Sequence, residues 1–175
     1  MQPSEYLAFI PLLIYGLALA DLLGQWRRFF ERDYFYLPYF LTTLIFTEVA
    51  IWNVFIYLGV TQQLAGISYF QYWLYLSQPM LFLITVAALT PETENKETEI
   101  YFKQRIPIVF GLMALYIGSH LFQDYGPGGG LNTVRVVTVA LCGATAASRK
   151  VWLVYVAAGL WGISLITRAM AQGVL

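Results

Sequence analysis

The chain has 175 residues, 59% of them hydrophobic and only 11% charged, with a formal net charge of zero. A soluble domain carries about a quarter charged residues, so this composition excludes one, and the balanced charge gives no basic surface for nucleic acid. One cysteine, Cys142, excludes an internal disulfide or dithiol centre, one histidine, His120, excludes a bis-histidine haem within a single copy, and no cofactor or metal site is expected.

Apolar runs at about 5–25, 36–59, 69–89, 105–124, 131–148 and 150–172 predict an all-α polytopic bundle of six transmembrane helices. Six spans consume most of the length, so residues 1–175 form a single transmembrane domain. Within the first run, Ala18-Leu19-Ala20 before Asp21 resembles a small-residue signal-peptide cleavage site after an apolar core. The region before it carries Glu5 and no Lys or Arg, so the segment reads as a retained first helix.

Eight of the ten Lys and Arg residues fall in three clusters: Arg27, Arg28 and Arg32; Lys96, Lys103 and Arg105; Arg149 and Lys150. The segments 60–68 and 125–131 carry no charge. The positive-inside rule therefore places the odd-numbered loops in the cytoplasm and both termini on the outer face, as in a bacterial inner membrane. Trp26, Arg27 and Arg28 suit contact with anionic headgroups of the inner leaflet, and Asp21 belongs to the same charged cluster. In the longest loop, Thr90 suits a helix N-cap, Pro91 the first helical position, and Glu92 and Glu94 the positive end of the dipole. These predict a short helix along the cytoplasmic surface before the fourth span.

Helices 2 and 3 are rich in aromatics, many at their ends, where amphipathic rings favour the membrane interface. Helix 5 has none, and it pairs Ala140 with Ala144 and Gly143 with Ala147 at four-residue spacing; helix 6 pairs Ala158 with Gly162. Such small-residue faces serve close packing within a bundle or a homo-oligomer interface through helices 5 and 6. Ile10-Pro11-Leu12 in helix 1 echoes Ile106-Pro107-Ile108 in helix 4, the start an inverted repeat would give. Helices 2 and 5 do not extend the match.

Ionisable groups in hydrocarbon are costly, so they mark interior faces, pairs or pathways. Glu48 falls near the midplane of helix 2, with Asn53 further outward, and Gln78 precedes a kinking Pro79 in helix 3. Tyr116, His120 and Asp124, each four residues apart, form one stripe towards the outer end of helix 4. Arg135 and Arg168 lie about one turn from the same surface, on helices 5 and 6. Glu48, Gln78, His120, Asp124, Arg135 and Arg168, supported by Asn53 and Tyr116, are thus candidates for a polar, outward-open cavity that binds solute or protons. Snorkelling of the two arginines to headgroups, a packing role for His120 and a protonated, hydrogen-bonded structural Glu48 are the plainer alternatives.

Glu5-Tyr6-Leu7, then Gly16-Leu17-Ala18-Leu19-Ala20-Asp21-Leu22-Leu23, and later Ile100-Tyr101-Phe102-Lys103-Gln104-Arg105, resemble uncharacterised small bacterial membrane proteins with about six helices. That resemblance implies a fold class and a location but no activity. Catalytic motifs such as a P-loop, HExxH, GxSxG or CxxC are absent from the sequence. Three functions follow in order of fit. The first is a transport or channel-like, solute-binding protein. The second is an accessory subunit of a larger membrane complex. The third is an intramembrane enzyme acting on a lipid or quinone, with His120 and Asp124 as acid and base.

Overall fold

Each apolar run folds as a helix. The computed structural model describes residues 3–31, 34–60, 66–91, 97–123 and 129–171, and contains α1 (Pro3–Phe29), α2 (Leu37–Val60), α3 (Tyr69–Leu89), α4 (Thr98–Gln123), α5 (Gly129–Ser148) and α6 (Val151–Ala171). Four of these hold stretches long and apolar enough to cross a membrane: Phe9–Phe29, Leu37–Ile56, Tyr69–Leu89 and Thr98–Leu121. The chain is an integral membrane protein by that measure. α5 and α6 contribute shorter apolar helices, Thr133–Ser148 and Val151–Thr167.

Local chemistry sets the ends. Ser68 opens α3 with a reciprocal capping box: its hydroxyl accepts from the Gln71 N–H at 3.3 Å, and its own N–H donates to Gln71 Oε1 at 2.9 Å. Thr90 closes α3, its N–H donating to the Val86 carbonyl at 2.9 Å. This corrects the reading of Thr90 as an N-cap. Pro91 lies outside any helix, and the expected surface helix falls largely on 92–96, outside the described residues. Instead α4 itself begins at Thr98, so Lys103 and Arg105 stand on its first turns, as Arg27 and Arg28 stand on the last turn of α1. The helices here extend past the apolar runs because backbone hydrogen bonding does not stop where hydropathy does. Arg149 takes a left-handed φ of 56° and donates its N–H to the Thr145 carbonyl at 2.9 Å, which turns α5 into α6 within two residues.

Side-to-side packing closes a ring in the order α1, α2, α6, α5, α4, α3. Phe82 of α3 lies fully buried near its centre, with ring centroids 5.4 Å from Tyr15, 6.1 Å from Phe46 and 5.2 Å from Tyr116. A second aromatic group locks one end. Phe102 meets Tyr36 at 6.0 Å and Tyr39 at 5.9 Å, while Phe29 meets Tyr39 at 5.8 Å. There the Tyr101 hydroxyl reaches the carbonyls of Ala88 and Thr90 at 3.1 and 3.2 Å, tying α4 to the last turn of α3. Arg27, Arg28, Lys103, Arg105, Arg149 and Lys150 all belong to this end, called the basic end below.

Two packing expectations change. Ala140, Gly143, Ala144 and Ala147 are exposed, and a Cβ added at Gly143, Gly159 or Gly162 would meet nothing within 4 Å. The small residues of α5 therefore do not serve close packing within this bundle. The echo between α1 and α4 is not repeated in the packing either. α1 packs on both α2 and α3, whereas α4 packs on α3 and α5 and, among the described residues, has no comparable contact with α6.

Candidate polar site between α1, α3 and α4

Proline begins the site. Pro11 has no N–H to give the carbonyl of Leu7 one turn earlier, and the Tyr72 hydroxyl donates to that carbonyl at 2.8 Å. α1 and α3 are thereby joined through a group that the helix ladder leaves over. Pro79 likewise removes the ladder donor for the Tyr75 carbonyl, one residue after Gln78.

Four residues inward from Pro11, the Tyr15 hydroxyl meets the Tyr116 hydroxyl of α4 at 3.3 Å, both side chains buried. One turn outward from Tyr116, the His120 ring stacks edge-on against it at 4.7 Å, and His120 Nδ1 donates to the Tyr116 carbonyl at 2.9 Å. A carbonyl only accepts, so Nδ1 carries the proton and His120 is turned back on its own helix. Tyr116 and His120 thus come together as the stripe predicted.

Gln78 lies on the buried face of α3 with Phe82, one turn away. α3 and α4 run antiparallel with Phe82 against Tyr116, so a turn outward on each brings Gln78 and His120 to the same level. Gln78 is only 5% exposed, and its Nε2 has no hydrogen-bond partner among the described residues. A buried amide without a partner costs about 1–3 kcal/mol, so the position calls for an acceptor.

Other sequence candidates stand elsewhere. Glu48 is half-buried, two residues from both Phe46 and Ala50, and therefore on the opposite side of α2 from that buried face. It lies one turn beyond Ile45, on the flank facing α6, away from Phe46, through which α2 meets Phe82 of α3. Asn53 is buried, and its Nδ2 donates to the Val49 carbonyl of its own helix at 2.7 Å. Thr42, Thr43 and Thr47 bond back in the same way, so α2 satisfies most of its polar groups alone. Arg135 is half-buried on α5. Asp124 lies outside the described residues, and Arg168 is on α6 with its side chain outside them. At the basic end Arg27 is exposed, while Trp26 and Arg28 are half-buried. Trp26 Nε1 is buried without a hydrogen-bond partner among the described residues.

No family model, curated protein or solved structure matches this chain.

Sequence reasoning missed Tyr15 and Tyr72. Tyr72 was discoverable by asking what satisfies the carbonyl that Pro11 leaves over. Tyr15 gave no signal, since a tyrosine in an apolar helix reads as packing. Among the described residues no group of three or more His, Cys, Asp or Glu side chains gathers as a metal site would need.

Proposed function

We propose that this protein is a small transport or channel-like membrane protein that takes a polar solute into a site between α1, α3 and α4. Its six helices span a bacterial inner membrane, with both termini on the outer face and the basic end in the cytoplasm. The gathering of six cations at one end of the ring supports that orientation. The observation that carries the solute reading is Gln78: a buried amide with an unpartnered Nε2, level with His120 and one turn outward from the Tyr15–Tyr116 hydroxyl pair. Asp124, Arg135 and Arg168, towards the same end, would draw and hold charged groups of the solute. Glu48 serves this reading as a separate protonatable group near the midplane, on the α6 side.

The test is flux in proteoliposomes, with protons, potassium and chloride as probes. Native protein conducts at least one of them, and Gln78→Leu abolishes that flux while remaining folded. Glu48→Gln reports whether proton movement needs the midplane carboxyl. Native protein without flux of any probe, or Gln78→Leu with native flux, overturns the reading.

A second reading, an accessory subunit or homo-oligomer, draws on the exposed small-residue strip of α5. Gly143 has open space around it, so the monomer does not account for a glycine there. Cross-linking of Gly143→Cys chains in membranes, after Cys142→Ala, distinguishes self-association from a foreign partner. The third reading, an intramembrane enzyme on a lipid or quinone, needs an acid within reach of His120, whose Nδ1 is already held by a backbone carbonyl.

A further inference from the structure

Around the polar site the backbone acceptors are engaged, while a buried donor is left over. The Tyr116 carbonyl accepts from His120 Nδ1 at 2.9 Å and from the Ser119 hydroxyl at 2.6 Å. The Leu7 carbonyl accepts from Tyr72 at 2.8 Å, and the Leu74 carbonyl from Ser77 at 2.5 Å. Gln78 differs: it is 5% exposed, and its atom without a partner among the described residues is Nε2, a nitrogen that only donates. The Tyr15–Tyr116 pair leans the same way, since two hydroxyls bring two protons and only one can lie between their oxygens. Such a site calls for an acceptor.

Size and charge narrow the choice. One turn inward, Phe82 closes the space, with ring centroids 5.4 Å from Tyr15 and 5.2 Å from Tyr116, so the occupant has a few atoms at most. A cation finds little to hold it. α3 carries no acid, and the acids with described side chains on α1 and α4, Asp21 and Glu99, stand towards the basic end. The Tyr75 carbonyl, whose ladder donor Pro79 removes, is one oxygen where a dehydrated potassium ion needs several. An anion finds positive charge instead. Arg135 is half-buried and lies three residues from Thr138 and seven from Cys142, both of which line the ring interior, so it shares their inward face. It stands six residues into α5, and Tyr116 seven before the end of α4, which puts both about 10 Å in from that end of the bundle. A guanidinium at such depth acts through a medium of low dielectric, where its field reaches farther than in water.

We infer that the solute held by Gln78, on the solute-binding reading proposed above, is a small monovalent anion with the size and charge of chloride. Gln78 Nε2 donates to it directly, and Arg135 favours it through the field.

The experiment follows Tm of the full-length protein in detergent while three probes are varied separately: choline chloride, potassium gluconate and the neutral acceptor acetamide. Choline gluconate holds total salt constant. Chloride raises the Tm of the native chain saturably, and the other two probes do not. Gln78→Leu and the closer-sized Gln78→Met each raise the Kd for chloride at least about tenfold. Arg135→Gln raises it by a smaller factor, because that charge acts at a distance. A saturable rise with potassium or acetamide in place of chloride, lost in both Gln78 variants, overturns the anion and leaves the solute reading standing. A chloride effect unchanged in both Gln78 variants overturns the inference too, since the ion then binds elsewhere. No rise with any probe overturns it as well, and absent flux in proteoliposomes would then remove the solute reading with it.

Discussion

The hydroxyl of Tyr72 sits 2.8 Å from the carbonyl of Leu7, the acceptor that Pro11 deprives of its helical donor. A proline in one helix is thus matched by a tyrosine in its neighbour. Removing the hydroxyl with Tyr72→Phe should destabilise the fold by about 1–2 kcal/mol, because the carbonyl is then left in an apolar setting. Pro11→Ala returns an N–H to the ladder, so Tyr72→Phe on that background should cost far less. Unfolding of the four chains in detergent gives the coupling; additive losses would mean that the two residues act independently.

Gln78→Leu should raise stability by about 1 kcal/mol while removing solute binding, since it deletes a buried amide whose Nε2 has no described partner. A drop in Tm would show that Gln78 is satisfied within the fold. Stability and function move in opposite directions only at a site kept for a ligand.

Tyr101→Phe removes both bonds to the last turn of α3, at the carbonyls of Ala88 and Thr90. The expected loss is about 1–2 kcal/mol. Amide hydrogen exchange should quicken locally around the end of α3 and the start of α4. Unchanged exchange there would count against a tie at this point.

Arg149 holds a φ of 56°, a conformation that side chains without β-branching tolerate better. Arg149→Gly should leave stability unchanged or raise it by up to ~1 kcal/mol, and Arg149→Val should lower it by about 1–2 kcal/mol. Equal melting temperatures for the two variants would contradict a left-handed turn between α5 and α6.

The helices themselves were legible because a membrane span is a long-run property. Twenty apolar residues in a row survive any detail of packing, and α3 matches its predicted run at both ends. Boundaries failed where polar residues continue a helix beyond the apolar run, at the start of α4 and the end of α1. The site was half legible. Tyr116 and His120 share a helix face by spacing alone, whereas Glu48 and Gln78 were joined only by their common depth.

Length, hydropathy and charge by themselves determined six helices, one basic end and an apolar chain that needs a bilayer. They did not determine which side of each helix faces its neighbours, because these helices are apolar all round and no stripe distinguishes core from lipid. Tertiary structure decided that. It set the ring order, turned Glu48 away from the buried face of α2, and placed Tyr72 on the carbonyl that Pro11 leaves over. Depth is written along the chain, but facing depends on close packing between helices that are distant in sequence.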